Sequence, residues 1–216
     1  MLTSRNVEIA KHHHIPTPEA LKFANIKVGF GIGDLDITAL DEPKVLFKGD
    51  YENEKPLLFR LLEEEAQIIV GDWSLSDWFP YFWYLFGDSK IKINKHIPLR
   101  ITVDGRLGDT DLDFFELKLQ DLRVRYLLGD LNIWLPQLGS IFGLIEFTLG
   151  DIIIVVPRGL GARVRLGTTV FGKRHVEEDV FVKNGSEYVS KDFEEAKNRL
   201  ELKIDFHLGD LRIKSA

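Results

Sequence analysis

Apolar residues recur at fixed offsets around a Gly-Asp pair along most of this chain. The pair stands at Gly33-Asp34, Gly71-Asp72, Gly87-Asp88, Gly108-Asp109, Gly129-Asp130, Gly150-Asp151 and Gly209-Asp210, with a degenerate copy at Gly167-Thr168. Val28, Phe82, Val103, Val124, Ile145 and Ile204 lie five residues before their glycines, and Phe30, Tyr84, Tyr126, Phe147 and Phe206 lie three before. Ile32, Val70, Phe86, Leu107, Leu128, Leu149 and Leu208 lie directly before. This alternation predicts strands with one buried face. Apolar phase resumes two and four residues after the glycine, as at Leu131 and Ile133. A flat strand would change faces across that step, so the Gly-Asp pair is expected to absorb one extra residue as a bulge or bend. Glycine suits a bend that needs positive φ. Aspartate suits the next position because its carboxylate can accept from nearby backbone N–H groups.

The glycines at 87, 108, 129 and 150 are spaced 21 residues apart, and the gap from Gly167 to Gly209 is 42, twice that period. Self-similarity at such a period predicts an array in which each repeat stacks on the next. We read an all-β solenoid of ~21-residue coils whose equivalent strands stack about 4.8 Å apart. One rung between 167 and 209 is expected to have lost its corner. A β-sandwich or β-roll with similar hairpins is the alternative.

The pattern predicts a single domain over residues 1–216. Residues 1–65 read as irregular N-terminal coils, with a strand at Val7–Ala10, a turn through KHHHIPTPEA, a strand near Lys44–Lys48 and a turn at ENEKP. Leu57–Glu65 fits either an edge strand or a short helix. Regular coils run over 66–171, a charged excursion with an Asn184-Gly185 turn signal over 172–199, and closing strands over 200–216.

The succession FGIGDLDI, YENEKP, RLGDTDLDF, LLGDLNIWLP, TLGDIIIVVPRGLGARVRLGTTVFG and YVSKDFEEAKNRLELKIDFHLGDLRIK resembles the bacterial toastrack domain. More narrowly, it is similar to the soluble C-terminal region of LiaF-like cell-wall-stress response proteins. The resemblance covers nearly the whole chain. It implies a right-handed single-stranded β-solenoid with no known catalysis, a place at the cell envelope, and a role restraining a two-component system through protein contacts. A membrane sensor kinase, or a second copy of the chain, is the partner it implies.

Composition narrows the classes. A formal net charge of −6 argues against nucleic acid as a partner. With no cysteine there is no disulfide framework and no thiol site. No run reaches membrane-spanning length, and the start MLTSRNVEIAKHHH has no apolar stretch of signal-peptide type. The chain is therefore read as soluble by itself and, from the resemblance, associated with the cytoplasmic membrane on a side left open.

Candidate chemistry is sparse. The aspartate row 34, 72, 88, 109, 130, 151, 210 could be read as a calcium ladder, but the nonapeptide repeats of a calcium-binding roll are missing. Two carboxylates ~4.8 Å apart in water repel by roughly 1 kcal/mol. A charge-assisted hydrogen bond returns roughly 1.5–3 kcal/mol, so the row can stand without metal. His12, His13 and His14 are adjacent and project in different directions, which suits a polar loop better than a metal site. The segment 77–87 concentrates Trp78, Phe79, Tyr81, Phe82, Trp83, Tyr84 and Phe86. Trp78, Phe79, Tyr81 and Trp83 fall outside the inward frame, which makes them core, a peripheral membrane contact or a protein interface. Arg158, Arg163 and Arg165, with Lys173 and Arg174, form a basic stretch that could meet an acidic partner or anionic lipid. Ile153 and Val155 point outward in the frame and are candidates for a subunit contact.

No P-loop, HExxH or GxSxG occurs, and GLGARV lacks the GxGxxG spacing. No enzyme, cofactor or metal is expected. The reading is a non-catalytic interaction or sensory module. A self-associating, adhesin-like scaffold is the alternative, and a carbohydrate-active enzyme on a β-helix is the third.

Overall fold

The computed structural model describes residues 7–71, 86–167 and 171–216, and every regular element among them is a strand. β1 (Val7–Pro16) precedes β2 (Phe23–Ile32) and β3 (Leu35–Leu40). A long β4 (Val45–Leu62) turns back into β5 (Glu65–Val70), and β6 (Ser89–Asn94) follows. Three long–short pairs come next: β7 (Pro98–Leu107) with β8 (Thr110–Asp113), β9 (Lys118–Leu128) with β10 (Leu131–Trp134), and β11 (Ser140–Leu149) with β12 (Ile152–Val156). β13 (Leu160–Leu166), β14 (Arg174–Val176), β15 (Phe181–Asn184) and β16 (Glu187–Ser190) lead to the last pair, β17 (Asn198–Leu208) and β18 (Leu211–Ser215). Among the described residues no helix is long and apolar enough to cross a membrane.

Equivalent strands lie parallel and in register, with Val124 beside Ile145 and Leu131 beside Ile152. The long strands stack in the order β5–β2–β7–β9–β11–β17–β13. The short strands stack in the matching order β6–β3–β8–β10–β12–β18–β14. This is the β-solenoid that the period predicts. Its rungs, however, do not follow chain order: β17/β18 sit between β11/β12 and β13/β14, and β5/β6 sit outside β2/β3. The 42-residue gap holds β14 and the antiparallel β15–β16 hairpin rather than a rung that has lost its corner. Gly172, with φ +138°, carries the end corner beside Gly209, whereas Gly167 bonds Ile204 and has no positive φ.

Antiparallel strands close both ends of the stack. The first half of β4 pairs with β6, its second half pairs with β5, and β1 lies along its other edge. At the far end β16 pairs with β13, and β15 with β16. The segments read as turns need correcting here. ENEKP lies within β4 and β1 continues through the histidines to Pro16, while Leu57–Glu65 takes the strand alternative, in the β4–β5 hairpin. Residues 7–65 thus hold one regular rung and a cap. The Asn184-Gly185 turn joins β15 to β16, with Gly185 at φ +61°.

Inside, at the regular corners the residues five and three before the glycine and two and four after it are buried: Val124, Tyr126, Leu131 and Ile133 around Gly129, then Ile145, Phe147, Ile152 and Ile154 around Gly150. Each such side chain contributes roughly 1.5–3 kcal/mol by leaving water. Phe171, four after Gly167, is instead 70% exposed. Val70 and Leu166, directly before Gly71 and Gly167, are buried, but at the other corners the residue before the glycine departs from the predicted frame. Ile32 is 42% exposed, Leu107 38%, Leu149 37% and Leu208 42%. The backbone there still bonds its neighbour, as when the Gly33 N–H donates to the Leu107 carbonyl at 3.0 Å. The chain has already begun to turn, which swings the side chain to the rim of the corner.

Candidate functional site

The corner row is the most regular surface of the molecule. At six successive corners the aspartate carboxylate accepts the backbone N–H of the corner stacked on it. Asp34 N–H donates to Asp88 Oδ1 at 2.9 Å, Asp109 to Asp34 at 2.9 Å, and Asp130 to Asp109 at 3.0 Å. Asp151 donates to Asp130 at 3.0 Å, Asp210 to Asp151 at 2.9 Å, and Lys173 to Asp210 at 2.8 Å. At the other end Asp88 N–H reaches Glu52 Oε2 at 3.3 Å. Sequence reasoning placed the acceptor role on these residues. The donor turns out to be the neighbouring rung and not the residue's own turn.

Glycine is required at these corners for two reasons. Gly129 has φ +133°, and a Cβ there would collide with the Gly108 carbonyl. The same collision repeats up the row at Gly108, Gly150 and Gly209. Gly33 and Gly87 also belong to the row, with φ of 134° and 93°. Gly71 departs from it: φ is +61° and its N–H bonds the Pro56 carbonyl at 2.9 Å, outside the ladder. Asp72 lies outside the described residues.

Behind the corners runs a ladder of rings. Phe30, Tyr126, Phe147 and Phe206 follow one another with centroids 5.9, 5.5 and 6.0 Å apart. Gly105 occupies the rung between Phe30 and Tyr126, and the two rings close over it; a Cβ there would stand 2.6 Å from the Tyr126 ring. Tyr126 donates its hydroxyl to the Gly108 carbonyl and so ties the ring ladder to the corner. Burial pushes its hydroxyl up to about 12, and the charges of Asp109, Asp34 and Asp130 push the same way.

Outside the corners, next to the aspartates, the residues that precede the glycines form a continuous apolar row. Ile32, Leu107, Leu128, Leu149 and Leu208 are neighbours in register. Phe86 extends the row beyond Ile32, and Phe171, 70% exposed, extends it beyond Leu208. The sequence pattern assigned these side chains to the core, so the row was not foreseen. Its signal is present all the same, since an apolar residue stands before each glycine of the ladder.

The other candidate residues distribute as follows. Trp78, Phe79, Tyr81 and Trp83 lie outside the described residues. Val155 is 4% exposed, flanked in register by Trp134 and Lys214, so its outward phase does not leave it free for a subunit contact. Ile153 is half-buried between Asn132 and Arg212. The basic stretch does not gather into a patch. Arg163 lies 3.6 Å from Glu194, 3.9 Å from Glu201 and over the Phe193 ring at 4.3 Å. Arg165 donates to Glu187 at 2.8 Å. Arg158 is exposed, with its backbone N–H on the Ala216 carbonyl at 3.0 Å. The residues at 187–201, far along the chain, return the acids that 152–176 lacks.

One polar cluster escaped the sequence reading because its residues looked like turns. His13 is buried in the β1–β4 cap, its Nε2 is 3.0 Å from the Lys55 carbonyl, and its ring lies edge-on to Tyr51 at 5.5 Å. Lys55 is 1% exposed and its Nζ donates to the Phe86 carbonyl at 3.2 Å. Burial lowers Lys55 to about 8, against the pull of Glu52 and Asp88. Tyr51 is shifted upward by burial and then by Asp50. Period two through Tyr51, Asn53, Lys55 and Leu57 was the available signal. Among the described residues no three His, Asp or Glu side chains come together as a metal site.

Comparison with known proteins follows the same outline. The family described as the N-terminal domain of toast_rack, DUF2154, matches residues 3–140. A solved structure from Clostridium sporogenes ATCC 15579, a candidate cell adhesion protein, superposes with a TM-score of 0.79 at 20% identity, covering 99% of this chain and 100% of that one. A candidate adhesin from Bacteroides fragilis NCTC 9343 aligns over 97% of this chain and 98% of its own at 11% identity, with a TM-score of 0.37. No curated protein matches.

Proposed function

This chain belongs to the toast_rack N-terminal domain family, DUF2154, and from that membership we propose that it is a non-catalytic, protein-binding module of the bacterial cell envelope. Its resemblance to LiaF-like proteins supports a role in restraining an envelope-stress signalling system. The observation that carries the reading is the corner ladder. Side chains that could serve metal binding or acid–base work accept backbone N–H groups of adjacent rungs instead, and the surface beside them is apolar and continuous. Deleting the gene in its host should raise the basal output of an envelope-stress reporter, and resupplying the protein should lower it. Output that ignores both manipulations would remove the signalling role.

A second reading is a self-associating, adhesin-like scaffold, supported by the likeness along 99% of the chain to a protein named for cell adhesion. Sedimentation separates the two. Concentration-dependent oligomers together with binding to a cell surface favour the scaffold, and a monomer at all concentrations removes it.

A further inference from the structure

We propose that the corner face is a docking groove for a cationic amphipathic helix of a protein partner, laid along the solenoid axis across the rungs. The proposal rests on the protein-binding reading above and specifies its partner. Two parallel features define the occupant. One is the apolar row from Ile32 to Phe171, in which Ile32, Leu107, Leu149 and Leu208 are 37–42% exposed, Phe171 is 70% exposed and Leu128 is half-buried. The other is the aspartate row, one carboxylate per rung, running along the same side of it from Asp88 to Asp210.

Neither feature alone selects a ligand, but their combination does. A soluble domain seldom leaves a continuous apolar strip uncovered, and a strip edged by stacked carboxylates favours a partner whose apolar stripe is edged by cations. On the far side of the strip the nearest outward positions are Arg106, Leu127, Thr148 and His207, and the next outward row holds Asp104, Arg125, Glu146 and Asp205. Among the side chains that adjoin the strip directly, the acids therefore stand on one side only, which favours cations along that flank of the partner. A second copy of the chain would bring its own aspartate row to the same face, so the charges favour a different molecule.

Spacing favours a helix over a strand. Rungs repeat every ~4.8 Å, a helix presents one stripe residue per turn of ~5.4 Å, and a strand presents same-face residues only every ~6.6–6.8 Å. Successive helix turns can therefore meet successive rungs over three or four steps before they fall out of phase. The five steps from Asp88 to Asp210 span ~24 Å, the length of a helix of about 16 residues. Lysine or arginine one position off the apolar stripe would reach the carboxylate oxygens that the backbone does not use.

The experiment measures binding of a synthetic helical peptide of about 18 residues, with leucine at helical spacing along one stripe and lysine along one flank. The control peptide has glutamate in place of lysine. The lysine peptide should bind the full chain, with affinity falling as salt rises, and the glutamate peptide should not. Asp109→Asn with Asp130→Asn keeps the oxygen that accepts each rung's N–H and removes the charge. This variant should melt within a few degrees of wild type yet bind the lysine peptide at least tenfold more weakly. Leu149→Ser should weaken binding similarly. Equal binding of both peptides, or binding untouched by these substitutions, would overturn the proposal. So would a dimer that Leu149→Ser dissociates, or binding of the same face to neutral phosphatidylcholine vesicles. The reporter experiment does not depend on this face, so failure here leaves the signalling reading standing.

Discussion

The backbone N–H of Asp130 donates to the carboxylate of Asp109 across 3.0 Å, linking residues 21 positions apart in the chain. The acceptor belongs to one rung and the donor to the next, so each aspartate reports on the stacking of its neighbour. Replacing Asp109 by Asn retains an acceptor, and replacing it by Ala does not. Asp109→Ala should cost about 1 kcal/mol, since the N–H it abandons is near solvent, and Asp109→Asn markedly less. Urea denaturation of the two variants checks the order; equal cost would mean the bond contributes little.

Gly129→Ala should be far more damaging than Gly159→Ala, although both glycines have positive φ. Gly159, at φ +84°, has nothing within 4 Å of the added methyl, so it pays strain alone, roughly 1 kcal/mol. Gly129 adds a collision with the backbone of the adjacent rung, which cannot move without disturbing the stack. A loss of more than about 3 kcal/mol is expected. Comparable melting curves for the two variants would show that the row tolerates a shift.

Gly105→Ala tests the ring ladder. The methyl would press on Phe30 and Tyr126, both stiff rings, and should cost roughly 1–3 kcal/mol by overpacking. Adding Phe30→Leu should recover part of the loss, because it opens the same space. If the pair of changes is simply additive, the two positions do not share that space.

Lys55 should make stability rise with pH above about 8. Its folded value is lowered by burial to about 8 from an ordinary 10.5, so between these limits the unfolded chain binds more protons than the folded one. Stability then increases with pH across that window. Below it both states carry the ammonium and the cost of burying it is fully present; above it both are neutral. The effect is on the order of 2–3 kcal/mol. Tyr126, held up near about 12, acts in the opposite sense above about 10, which makes pH 8 to about 10 the clean interval. Lys55→Met should flatten the slope of the urea midpoint there. An unchanged slope would place the titrating group elsewhere.

The period and the inward phase of Val124, Tyr126, Leu131 and Ile133 were readable because burial on one face of a strand leaves an alternating trace. The order of the rungs was not. Leu200, Leu202 and Ile204 present the same apolar surface as Leu122 and Val124, so side-chain pattern cannot say which rung lies on which. Leu107 and Leu149 were misplaced because phase counting assumes a strand that stays flat up to its glycine. Lys55 was missed because ENEKP holds four polar residues and a proline in a row, and only the long β4 gives them alternate sides. The aspartates of the candidate groove were read correctly as acceptors. The apolar row beside them became visible only once the corner had a shape.

The interleaving of β17/β18 between earlier rungs bears on how the protein is made. During translation the rungs of residues 98–156 can stack as they leave the ribosome, but β13 cannot take its final neighbours until residues 198–216 have followed. The plank made after β13 and β14 becomes their inner neighbour. A message cut short therefore yields a molecule with an open seam, its strand edges unpaired and exposed to proteolysis and aggregation, where a solenoid stacked in chain order would lose only its final coil. Translation through residues 198–216 is thereby written into the integrity of the stack.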